Sequence, residues 1–91
     1  MAIKVIFTAG IKNPIPDEFL NKVRGEAEKS GGLVSFSVST ENNIETAVSV
    51  WDSMESVLKW KNNPVHIEAK NKKSDYYDWV DIEFIEEKEE Q

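Results

Sequence analysis

Apolar patterns follow one another along this 91-residue chain in the order β-α-β-β-α-β, which predicts an α+β domain of the ferredoxin-like, split βαβ type. Three observations carry the prediction. Four segments alternate with the two-residue period of a strand: IKVIFTA (3–9), LVSFSVST (33–40), NIETAVSVW (43–51) and DYYDWVDIEFI (75–85). Between the first two, Ile15, Phe19, Val23 and Ala27 recur every four residues, as on one face of a helix. Turn signals then fall where the periods change: Gly31-Gly32, Glu41-Asn42-Asn43 and Asn62-Asn63-Pro64.

Each element has a local reason. In the first strand Ile3, Val5 and Phe7 share a face, with Lys4, Ile6 and Thr8 opposite. Pro16 suits a first helical turn, and Asp17 and Glu18 suit its positive end, so a helix of about 13 residues begins there and stops at the glycine pair. The next two strands form an antiparallel hairpin across Glu41-Asn42-Asn43. Val34, Phe36 and Val38 alternate with three serines; Ile44, Thr46, Val48 and Val50 alternate with Ala47, Ser49 and Trp51.

Asp52 and Glu55 have the spacing of an N-cap and its reciprocal partner, opening a short helix that carries Met54, Val57, Leu58 and Trp60. Asn63 can cap and Pro64 can open a second short helix, expected to run to about Lys73. In the last strand the alternation puts Tyr76, Val80, Ile82 and Phe84 on one face, and Tyr77, Trp79, Asp81 and Glu83 on the other. Residues 1–85 are read as one domain, and 86–91 as a frayed acidic tail.

Composition narrows the function classes. With no cysteine there is no disulfide, no thiol nucleophile and no thiolate metal site; with a single histidine, a zinc site of protein ligands is not expected. No metal or cofactor is expected. The net charge of -6 argues against nucleic acid, since phosphate contacts need a basic surface. No apolar run reaches about 18 residues, so no membrane span is expected. MAIKVIFTAG is too soon interrupted for a secretory leader, so a cytoplasmic location is expected.

Helices on one face of a four-stranded sheet leave the other face open. By alternation that face carries Ile6, Trp51, Tyr77 and Trp79, and an aromatic open face marks an interface. The expected partner is a second copy of the chain, the two sheets stacking into a dimeric α/β barrel.

Four segments together resemble the antibiotic biosynthesis monooxygenase family: VSVW, DSMESVLKW, KNNPVHIEAK and DYYDWVDIEF, within residues 48–84. That family typically shows a strand ending in Trp, an acidic-capped helix with an internal Trp, an Asn/His-Pro step, a His and an aromatic-rich last strand. Over residues 1–47 only the order of elements agrees. The resemblance implies a homodimeric ferredoxin-like fold with a pocket between helices and sheet. Some members oxidise polycyclic phenols to quinones with molecular oxygen and neither metal nor flavin; relatives degrade haem or serve in signalling. The chain departs from the pattern at Lys72-Lys73-Ser74, where Gly-Arg is usual, and its first strand lacks the asparagine typical of the haem-degrading branch.

Candidate site residues follow. His66 is the one side chain whose ordinary pKa suits proton abstraction near neutral pH, against the plainer reading of a helix residue packing locally. Trp60 offers a flat wall for an aromatic ligand, or simply packs into the core. Adjacent tyrosines on a strand point to opposite faces, so Tyr76 is assigned to the pocket with Trp60, and Tyr77 and Trp79 to the dimer interface. Asp81 and Glu83 share a face but too few oxygens accompany them for a Mg²⁺ or Ca²⁺ site. The function expected is cofactor-independent oxidation of a small aromatic or quinone-type molecule by O2, with His66 as base. The alternatives are a non-catalytic barrel binding a small apolar ligand and, further off, haem degradation.

Overall fold

A computed structural model describes residues 2–87. The elements are β1 (Ala2–Ile11), α1 (Asp17–Lys29), β2 (Leu33–Glu41), β3 (Ile44–Trp51), α2 (Met54–Lys61), α3 (Pro64–Tyr76) and β4 (Tyr77–Glu87). The strands form one antiparallel sheet in the order β2-β3-β1-β4. This is the ferredoxin-like arrangement, with its second helical segment divided in two at Asn62-Asn63. Of the expected acidic tail, Glu86 and Glu87 continue β4, and 88–91 lie outside the described residues.

The turns and caps explain the boundaries. Asn42 and Asn43 take φ of 54° and 63°, the left-handed pair that a two-residue hairpin requires. Beyond α1, Gly31 and Gly32 have φ of 85° and 84°. A Cβ on Gly32 would also strike the Ser56 side chain, so no other residue fits there. Asn63 caps α3 by accepting a hydrogen bond from the Val65 N–H at 2.8 Å, and Pro64 opens the helix as expected. The cap of α2 is Ser53 rather than Asp52: its side chain accepts from the Ser56 N–H at 3.2 Å. Asp52 instead accepts from the Ser56 hydroxyl at 2.6 Å and the Ser53 hydroxyl at 3.1 Å, and those bonds hold its carboxyl below the ordinary range.

Register decides the two faces of the sheet. Residues paired across antiparallel strands point the same way, and Ile3 pairs with Trp51, Phe7 with Ala47, and Ala9 with Glu45. Ile3 and Trp51 form the core with Ala27 of α1 and Val57 of α2, while Val5, Leu33 and Trp60 pack against them. Ile3, Val5, Phe7 and Ala9 therefore face the helices, together with Glu45, Ala47, Ser49 and Trp51. The open face carries Ile6, Val48 and Val50, and beside them Ile85, which pairs with Lys4.

This corrects the expected open face. Ile6 and Trp79 are on it; Trp51 and Tyr77 are not. A β-bulge between Gly10 and Ile11 is the cause for Tyr77: Trp79 pairs with Gly10 and Tyr77 with Ile11, so one step on β1 spans two residues on β4. The alternation is broken and the two aromatics part to opposite faces. Trp79 lies directly over Gly10, where any side chain would run into its indole.

Candidate functional site

A ladder of three rings climbs from the sheet to α3. Trp51, the last residue of β3, is 2% exposed and donates its indole N–H to the Ser49 hydroxyl at 3.0 Å. Trp60 of α2 stacks on it, with ring centroids 6.2 Å apart and planes 23° apart. His66, in the first turn of α3, meets Trp60 edge-on at 5.1 Å and 61°. The helix break at Asn62-Asn63-Pro64 is what folds His66 back onto Trp60. The sequence distance across that break left their convergence open; the two rings are in contact.

His66 is half-buried, and its Nδ1 is shut from solvent without a hydrogen-bond partner. Burial pushes its pKa below the ordinary 6.5. The nearby Lys61 carbonyl pulls the other way, and the charges of Lys70 and Lys61 add to the lowering. Near neutral pH the ring is therefore uncharged and able to take a proton.

Tyr76 does not join this pair. It is the last residue of α3 and not the start of β4, ten positions beyond His66, or about 15 Å along the helix axis. Its ring lies 6.4 Å from Phe19 of α1, and Lys72 Nζ sits 4.9 Å over that Phe19 ring. The face that sequence alternation assigned to it beside Val80 and Ile82 belongs to Tyr77.

Tyr77 forms a second cluster at the far end of the same layer. Its hydroxyl donates to Glu45 Oε2 at 2.7 Å, and Phe7 packs against its ring edge-to-face at 5.5 Å. Glu45 is on β3 and Tyr77 on β4, so the bond crosses β1, passing over Ala9, which is 0% exposed. Glu45 is 7% exposed. Burial, then the Glu45 contact, raises the Tyr77 pKa well above the ordinary phenol value, so its proton stays on. Glu45 was not singled out from the sequence. The signal was there: it shares its alternation set with Trp51, so an inward Trp51 means an inward Glu45.

The two clusters are joined by α3. Its C-terminal carbonyls are taken up by the segment after β1: Lys12 N–H and Asn13 N–H donate to the Tyr76 carbonyl at 2.7 and 3.3 Å, and the Asn13 amide donates to the Asp75 carbonyl at 2.7 Å. A cavity of about 340 Å³ lies elsewhere, lined by Ser39, Glu41, Asn42, Ile44 and Thr46 at the β2–β3 hairpin. Among the described residues no group of His, Asp and Glu is arranged to hold a metal ion, and no helix is long and apolar enough to cross a membrane.

No family model and no curated protein matches the sequence. Solved structures do match. A conserved protein from Methanosarcina mazei is 22% identical, with a TM-score of 0.82 over 96% of this chain and 93% of that one. SnoaB, a cofactor-independent oxygenase from Streptomyces nogalater, is 10% identical, with a TM-score of 0.79 over 98% of this chain and 95% of its own. A candidate antibiotic biosynthesis monooxygenase from Chloroflexus aurantiacus is 14% identical, with a TM-score of 0.74 over 100% and 97% of the two chains. Identities this low speak for the fold and not for the reaction. The chain has the fold of those oxygenase-type structures, which is the fold its resemblance to the antibiotic biosynthesis monooxygenases implies.

Proposed function

We propose that this is an antibiotic-biosynthesis-monooxygenase-like enzyme that oxidises a small aromatic or quinone-type molecule with O2, without a cofactor, in the cytoplasm. The observation that carries the reading is His66: an uncharged imidazole against an indole, with a buried Nδ1 that makes no well-formed hydrogen bond although the Lys61 carbonyl is close by. A buried polar atom without a partner is costly and points to a group that arrives from outside. Trp60 supplies the flat surface on which a planar ligand lies. Tyr76, beside Phe19, is placed at the α1–α3 rim and not at the reacting centre.

In the reaction His66 removes a proton from an activated CH2 or a phenol, leaving an electron-rich anion. That anion gives electrons to O2. At a CH2 or a free ring C–H one oxygen atom ends as a carbonyl on the product and the other leaves as water; a hydroquinone instead passes two electrons and two protons to O2, giving quinone and hydrogen peroxide, so in neither case does an external reductant enter the balance. Support of a coarser kind comes from SnoaB, a cofactor-independent oxygenase of the same fold. The test is oxygen uptake with anthrone-type and hydroquinone-type substrates. His66→Ala lowers uptake by about 10²-fold or more, in line with removal of a positioned base. In the unmodified protein, uptake falls with acid only below pH 6.5, because the His66 pKa lies under that value. Uptake unchanged in His66→Ala defeats the assignment and favours the rival reading, a barrel that binds an apolar ligand without turning it over.

The reading includes a homodimer. Ile6, Val48, Val50, Ile85 and Trp79 line one sheet face opposite the helices, and Trp79 is 47% exposed. A second copy covers such a face most simply. Sedimentation of Trp79→Lys checks this: the variant runs as a monomer where the parent runs as a dimer.

A further inference from the structure

We propose that two copies of the chain lock together by a knob and a hollow: Trp79 of each enters the hollow at the β2–β3 hairpin of the other, with the twofold axis running along the strands. The proposal rests on the homodimer reading above and adds to it which strands meet and which residues touch.

Knob and hollow lie at one level of the open face. Trp79 pairs with Gly10 and Gly10 with Ile44, so the three form one row across the sheet. The missing side chain at Gly10 lets the indole lie over β1. Its outer surface stays 47% exposed. On the far side of β1 is the hollow of about 340 Å³ lined by Ser39, Glu41, Asn42, Ile44 and Thr46. Ser39 pairs with Thr46 and Glu41 with Ile44, so the hollow opens on the same face as the indole. Ile44, its apolar wall, is 41% exposed. A large aromatic side chain and a hollow with an uncovered isoleucine, both bare on one face, are what a self-complementary contact requires.

Charge chooses the axis. Two sheets stacked face to face have a twofold axis between them, along the strands or across them. Across the strands, β4 lies over β4 with its ends exchanged, and Asp81 faces the partner's Glu83. Four carboxylates then crowd together, with one Lys4 from each copy as the only cations on this face among the described residues. Along the strands, β4 lies over the partner's β2 and β1 over the partner's β3. Asp81 and Glu83 then face the hydroxyls of the partner's Ser39 and the partner's Ser37, which donate to them. Ile6 faces the partner's Val48, apolar on apolar. Trp79, lying over Gly10, faces the partner's Ile44 and the hollow around it. The turn of roughly 30° between twisted sheets shifts the corners most and leaves this pairing of strands unchanged.

The chain has no cysteine, so introduced pairs report on the stack without background. Ser37→Cys with Glu83→Cys, treated with a short bis-maleimide, runs as a covalent dimer on a denaturing gel. Asp81→Cys with Glu83→Cys does not. Ser39→Trp fills the hollow from its own chain and weakens dimerisation at least tenfold in sedimentation equilibrium, with circular dichroism confirming an intact fold. Thr40→Trp, one residue on and facing the other side of the sheet, leaves dimerisation unchanged. A parent that sediments as a dimer but links through Asp81 and Glu83, or through neither pair, overturns this arrangement and leaves the homodimer standing. So does a Ser39→Trp variant that dimerises as tightly as the parent. A parent that sediments as a monomer overturns the homodimer and this arrangement together.

Discussion

The two ends of the layer between sheet and helices are built on different principles. At one end Ile3, Ala27, Trp51 and Val57 are buried together and the indoles of Trp51 and Trp60 stack. At the other, about 20 Å away along β3, an acid and a phenol bridge over an alanine. The first end gains from apolar area removed from water, a term that is large and indifferent to direction. The second gains from one short directed bond and gives up apolar area to make it, since Phe84 and Ile82 beside it stay half in solvent. His66 belongs to the packed end, edge-on to Trp60, and α3 runs from there to the other end, where Lys12 and Asn13 take up its last carbonyls.

The sharpest way to break this contrast is Trp51→Ala. It removes the largest buried side chain and the platform under Trp60, and the loss is about 3–5 kcal/mol in urea unfolding. For a domain with roughly 5–15 kcal/mol in total, that leaves little. Tyr77→Phe comes next, at about 1–3 kcal/mol, because it leaves the buried Glu45 side chain without its donor. A double-mutant cycle with Glu45→Gln isolates the pair; coupling near zero means the far end contributes nothing of its own. Ser53→Ala costs about 1 kcal/mol, as for other helix N-caps, and it acts on the packed end alone.

The smallest effect is on the pH dependence of stability. The His66 pKa in the folded chain lies below the 6.5 of the unfolded one. Between the two values the unfolded chain binds more protons, so stability rises with pH through that window and is lost as pH falls through it. Chemical denaturation across this range shows the slope in the unmodified protein and a flatter one in His66→Asn. Equal slopes mean that His66 is not desolvated.

Much of this was legible beforehand. Alternation and turn residues locate all four strands, and Asn63-Pro64 marks the opening of α3 to the residue. What alternation cannot say is which face the helices take. In β3 the set Ile44, Thr46, Val48 and Val50 looks like a core face, and the set Ala47, Ser49 and Trp51 looks like an outer one. The reverse holds, because Ser49 is satisfied by the Trp51 indole and the β-branched set lies on the open side. The Tyr77 error is different in kind. A bulge at Gly10/Ile11 and a helix that runs on through Tyr76 both shift the frame, and neither leaves a mark in DYYDWV. The contact of Trp60 with His66 depends on the angle at a helix break, which residue spacing does not encode.

Helix α3 has 13 residues and not one is buried. It is held by its Asn63 cap, by the bonds that take up its last carbonyls and by shallow contacts. Substitutions along it therefore carry little folding cost, although it bears His66 and leads into Tyr77. Positions on this helix other than His66 can change what the protein accepts at little cost to folding, while the packed end keeps the chain folded.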